Sequence, residues 1–148
     1  MRAEETQDET SIKLIAQDSD DLDIISTLLQ DGLVAATDIH FDQKTQCLIL
    51  LVNRFCWEKS ADDQHYRCLC GVNIGHVRSL SYKNMLLQKE PSATSFYNLL
   101  TFSFQPKTGA LNLIFSNEGE IRCSIEKLDV RIKDVAAPYP TPNTPEHL

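Results

Sequence analysis

The chain has 148 residues, 42% hydrophobic and 24% charged, with 14 basic and 21 acidic side chains and a formal net charge of −7. These values suit one domain around one core and exclude a disordered chain. So acidic a protein is a poor match for phosphate backbones or anionic membranes, which attract an excess of cations.

Residues 1–11 are polar and acidic and read as a flexible leader without the apolar stretch of an export signal. The longest apolar run, Cys47 to Val52, is far too short to span a bilayer, so the expected location is the cytoplasm. Five cysteines, an odd number without an export signal, point to free thiols rather than a disulfide framework.

Ile12 to Ala16 reads as a first strand. Asp18 or Ser19 can cap a helix whose first turn carries Asp20, Asp21 and Asp23, where the dipole favours anions. Leu22, Ile25, Leu28 and Leu29 share one face, which predicts the main helix over about 19–31, with Gly32 as its left-handed cap. Leu33 to Phe41 is a strand, 42–45 a turn, and Gln46 to Phe55 a strand apolar on both faces, as expected of a covered central strand. His65 to Tyr82 is one long strand with bends or a bulge at Gly71 and Gly75.

Residues 83–89 predict a second, short helix. Phe96 to Phe104 and Leu111 to Phe115 are strands joined by a turn at Pro106 to Gly109, and Asn117-Glu118-Gly119 makes another tight turn. Glu120 to Val135 is the last strand, with a bulge near Glu126-Lys127 where the apolar phase slips by one. Residues 138–148 hold four of the six prolines and form an extended tail, or a polyproline ligand for an aromatic groove. The fold class is therefore α+β and mostly antiparallel, with one domain over 12–137.

Phe41-Asp42-Gln43-Lys44-Thr45 through Leu50 can be laid over Phe104-Gln105-Pro106-Lys107-Thr108 through Leu113, at a constant offset of 63. Phe, Lys, Thr and two leucines coincide. The expectation is an internal duplication of a β-α-β-β-β unit, with halves 12–73 and 74–137 and a groove between them that could take a ligand.

The densest cluster of recognition-type side chains is Asn53-Arg54-Phe55-Cys56-Trp57-Glu58, which holds the only tryptophan. Indole and guanidinium groups dominate binding hot spots. Arg54, Trp57, Glu58 and Arg67 are the candidate binding residues; the competing reading gives Phe55 and Trp57 to the core and makes Arg54 and Glu58 exposed ion pairs. Cys68-Leu69-Cys70 lacks the paired turns of a zinc site, so no metal is expected. No nucleophile elbow, phosphate loop or dinucleotide fingerprint appears, so neither catalytic residue nor cofactor is assigned and enzymatic activity is disfavoured.

Lys13-Leu14-Ile15-Ala16, Asp20-Asp21-Leu22, Leu29-Gln30-Asp31 and Asn53 to Glu58 together resemble the domain-of-unknown-function family 2948, from residue 12 to the Pro-rich tail. The resemblance implies a bacterial single-domain protein and transfers no activity. The expected function is a non-catalytic interaction module that binds a protein partner or forms a homodimer. The alternative is a small-molecule-binding protein or minor hydrolase with a site between the halves. Nucleic-acid binding would need Arg54, Arg67, Arg78, Arg122, Arg131 and Lys133 to converge on one face.

Overall fold

The computed structural model of the chain describes residues 11–57, 64–85 and 95–141. Their strands are β1 (Lys13–Ala16), β2 (Gly32–Ala35), β3 (Ile39–Asp42), β4 (Cys47–Phe55), β5 (His65–Ile74), β6 (Val77–Lys83), β7 (Phe96–Gln105), β8 (Ala110–Phe115), β9 (Glu120–Ile125), β10 (Val130–Asp134) and β11 (Tyr139–Thr141). One helix, α1 (Ser19–Leu29), joins β1 to β2. The strands form a single antiparallel sheet in the order β1-β10-β5-β4-β2-β7-β8-β9-β6, with β3 also beside β4 and β11 beside β5. The class is α+β.

That order cannot lie flat. β5 and β6 are six neighbours apart, which on a flat sheet is about 29 Å at about 4.8 Å per step. Ile74 and Val77 are three residues apart in sequence and reach at most about 11 Å. The sheet therefore curls until β6 comes back to the end of β5, and one buried cluster takes Leu50, Val72, Leu113, Ile121 and Ile132 from strands across the whole order.

Helix α1 closes this core with Leu22, Ile25 and Leu29. Asp18 is its N-cap, accepting from the Asp21 amide at 2.8 Å. Ser26 Oγ accepts from the Phe102 amide at 3.0 Å and so binds the helix to the bulge between Leu99 and Thr101 in β7. The left-handed residue after the helix is Asp31, with φ 64, and not Gly32. Gly32 starts β2, where a Cβ would run into Val52 Cγ1, so packing rather than backbone conformation requires glycine.

Several predicted strands are divided. The 33–41 run is broken by a 3₁₀ turn over Ala36–Asp38. The 65–82 run turns a corner at Gly75-His76, and Gly71 stays in regular pairing with both Leu51 and Lys133. The 120–135 run is two strands: the phase slip near 126 is not a bulge but the passage from β9 to β10, on opposite sides of the strand order. Of the predicted 83–89 helix, Lys83 ends β6, Asn84 is left-handed at φ 57, and 86–89 lie outside the described residues.

β6 follows β5 but pairs with β9, and β10 follows β9 but pairs with β5. The two connections cross, held by Gly75 N to Asp129 O at 2.9 Å and Glu126 N to His76 O at 3.0 Å. Adding 63 to the Asp42–Cys47 pair of the β3–β4 hairpin gives the Gln105–Ala110 pair of β7–β8. The same shift turns Val34 into Tyr97, and these two residues face each other across the β2–β7 ladder.

Candidate functional site

Alternation along each strand sends one set of side chains to the core and the other to the outside of the curl. Outside, the register aligns Ile15 with Arg131, Arg131 with Asn73, and Asn73 with Ile49; two residues along, Lys13 aligns with Lys133 and Lys133 with Gly71. Leu33 lies across from Asn53, and Phe96 across from Ala35. Ile15, Leu33, Ile49, Phe96, Val135, Trp57 and Tyr139 are all exposed, and together they make this outer face apolar. Its charged groups are chiefly cationic, namely Lys13, Arg67, Arg131 and Lys133 on a chain of net charge −7.

Three of the four predicted binding residues can be placed. Trp57 is 36% exposed and stands edge-on to the ring of Phe55, centroids 4.5 Å apart. Arg67 lies over the same ring, 5.9 Å from its centroid, and donates to Asn53 O at 2.9 Å. Asn53 Nδ2 in turn donates to Tyr139 Oη at 2.7 Å, so β11 fastens this end of the face. Phe55 is itself buried, so its ring is a rigid platform between Trp57 and Arg67. Glu58 lies outside the described residues.

Arg54 is inside, not on the face, and is the largest fully buried side chain. Its Nε donates to Asp134 Oδ1 at 2.9 Å and its Nη2 to Asp134 Oδ2 at 2.8 Å, a bidentate pair. Asp134 also accepts from the Ile12 amide at 2.9 Å, so the pair ties β4 to β10 and to the entry of β1. Cys68 and Cys70 line the same interior. Burial, with the nearby Asp134 carboxylate, pushes their thiols up to about 11 and about 12. Burial alone lifts Cys123 to about 12. These thiols are protonated and unreactive at neutral pH. Among the described residues no group of His, Cys, Asp and Glu side chains could hold a metal ion.

A second feature sits where the two connections cross. A cleft of about 300 Å³ gathers Thr45, Cys47, His76, Asp129 and Arg131. Asp129 accepts from Arg131 Nε at 3.0 Å and Nη2 at 3.3 Å. His76 Nε2 stands 3.9 Å from Asp129 Oδ2, beyond hydrogen-bonding reach, and Cys47 Sγ is directed at Thr45 O. This is an ion pair beside a histidine, without the relay a nucleophile requires.

The cations proposed for nucleic-acid binding do not converge as a set. Arg54 is interior, and Arg78 is engaged by Glu126 at 2.8 Å. The sequence reading missed Lys13 and Ile15 as part of a surface, and took Gly71 for a bend. The available signal was the period-two alternation Arg131, Lys133, Val135, opposite in phase to Val130, Ile132 and Asp134.

No described helix is long and apolar enough to cross a membrane. Comparison with curated proteins and with solved structures gives no match. A family model does match, over residues 12–147, which include both the outer face and the buried pair beneath it. The chain belongs to the family described as Protein of unknown function (DUF2948).

Proposed function

We propose that this chain is a bacterial, cytoplasmic, non-catalytic interaction module whose outer sheet face docks a protein partner. The observation that carries the reading is the gathering of seven exposed apolar side chains, Ile15 through Tyr139, on one face of the curl. Exposed apolar side chains gathered on one face, interspersed with Arg131, Asn73 and Lys133, are the composition of a binding surface with polar groups among its apolar anchors. Trp57 and Arg67 on the Phe55 platform are rigid anchors of the type that concentrates binding energy. Self-association through this face would set Lys13, Arg67, Arg131 and Lys133 against their own copies, so a partner other than a second copy is favoured.

The test is capture of partners from the native cell by immobilised wild-type protein and by Ile49→Asp, Trp57→Ala and His76→Ala variants, with thermal melts of each. The first two variants are expected to weaken capture about thirtyfold while melting like wild type. Capture that is unchanged, or lost only in step with melting temperature, would remove the reading. A loss in His76→Ala alone would move function to the crossing cleft, the small-molecule alternative.

We also infer that the two halves arose by duplication. The shared hairpin register and the Val34–Tyr97 pairing, in which residues 63 apart face each other, support an approximate twofold axis through the β2–β7 ladder. Chains 1–73 and 74–148, co-expressed, are expected to assemble into one folded complex; failure to co-purify would count against the idea.

A further inference from the structure

Gly71 has no reason internal to the fold. It sits mid-strand in β5, paired on both sides, where glycine weakens a sheet. Its φ is not left-handed. A Cβ there would make only ordinary contacts, 3.5 Å to Val135 Cγ1 and 3.8 Å to Lys133 O. What the missing side chain leaves is the floor of a groove of about 210 Å³, walled by Lys13, Ile15, Asn73, Arg131 and Lys133.

The walls are electrostatically unfinished. Lys13 and Lys133 are directly opposed across the β1–β10 ladder, an arrangement that repels. No ion pair among the described residues engages either lysine. Arg131, next along the face, is held by Asp129 through Nε and Nη2, which leaves Nη1 to meet a ligand. The groove runs on into the crossing cleft, which shares Asn73 and Arg131.

We infer that this groove binds an extended acidic segment of a partner protein, laid across Gly71 with carboxylates on Lys13, Lys133 and Arg131 and an apolar side chain on Ile15. The inference rests on the docking reading and names the chemistry of the partner. Because β5 is paired on both sides, the segment would meet the sheet face through side chains, and an extended chain presents alternate side chains at the spacing of the strand beneath it. The cations supply a complement that a self-dimer lacks.

The probe is a fluorescein-labelled decapeptide alternating glutamate and valine, titrated into the full-length chain and followed by anisotropy at low and high salt. Binding is expected, weakened by salt, and absent for the lysine–valine peptide. Gly71→Val fills the floor with a β-favouring side chain; it should lower affinity more than about tenfold with melting temperature retained or raised. Lys13→Gln with Lys133→Gln should weaken binding about fivefold and flatten the salt dependence. Equal binding of both peptides, or wild-type affinity in both Gly71→Val and the lysine variant, would overturn the inference. So would tighter binding after Glu4, Glu5, Asp8 and Glu9 are neutralised in the full chain, since the groove would then belong to the chain's own acidic leader. Partner capture that survives Gly71→Val but fails in Ile49→Asp would sink this inference and leave the docking reading standing.

Discussion

Arg54→Ala is expected to lower the unfolding free energy by about 3–5 kcal/mol, because it strands the Asp134 carboxylate in the interior. Chemical denaturation of wild type and variant at one pH measures it. The size follows from geometry. Both partners are buried, and the contact is bidentate at 2.8 and 2.9 Å. Asp134 also holds the Ile12 amide, so the loss extends to the start of β1. A domain of this size has a total stability of about 5–15 kcal/mol, so the single change could consume much of it. The control is Arg54→Met with Asp134→Leu, which removes both charges and keeps volume. That pair is expected to fold and to recover most of the loss, short of wild type by about 1 kcal/mol for the Ile12 amide that loses its acceptor. A mild effect of Arg54→Ala, within about 1 kcal/mol, would mean that water reaches the pair.

The pair also shows why sequence and structure part where they do. Arg54 is read correctly as unusual, standing in the most hydrophobic strand beside the only tryptophan. Its partner is 80 residues away in sequence, and no local pattern connects them. A surface role was the natural assignment for a guanidinium at a strand exit; the bidentate carboxylate turns it inward. Trp57 follows Phe55 at the period-two spacing that local sequence shows, whereas Arg67 meets the same ring only through the β4–β5 register. The amphipathic helix was legible too, since its capping and its apolar face are local in sequence.

Strand boundaries failed where chain continuity conflicts with closure of the curl. At Gly75-His76 the apolar phase slips by one between Ile74 and Val77, a slip that a bend or bulge within one strand would also produce, so 65–82 looks like one strand. At 126–129 the phase slip resembles a bulge, yet it is a connection between opposite sides of the sheet. Both are non-local events, governed by which strand accepts the next hydrogen bonds. The outer face suffered likewise: Lys13, Gly71 and Lys133 are ordinary residues separately and become a groove only in register.

The thiols carry the second large expectation. Cys68, Cys70 and Cys123 have an ordinary value of 9.0 when unfolded and are pushed up to about 11, about 12 and about 12 by burial. Below pH 9 both states keep these protons, and the thiols contribute nothing that depends on pH. As pH rises above 9 the unfolded chain ionises while the folded chain does not, so the unfolded state gains and stability falls until pH passes the folded values. At pH 10 each thiol favours unfolding by about 1 kcal/mol, a few kcal/mol for the three together. Urea unfolding between pH 7 and 10.5 should therefore show stability falling steeply only above pH 9, with about three protons released per molecule on unfolding at pH 10. A variant with Cys68, Cys70 and Cys123 all replaced by alanine should lose that steep fall, whatever its stability at pH 7. In the native protein at pH 8 a thiol reagent is expected to reach Cys47, the half-buried one of the five, well before the buried four. Rapid reaction of all five in the native state would show that the interior around Arg54 and Asp134 opens readily, and the alkaline loss would then shrink with it.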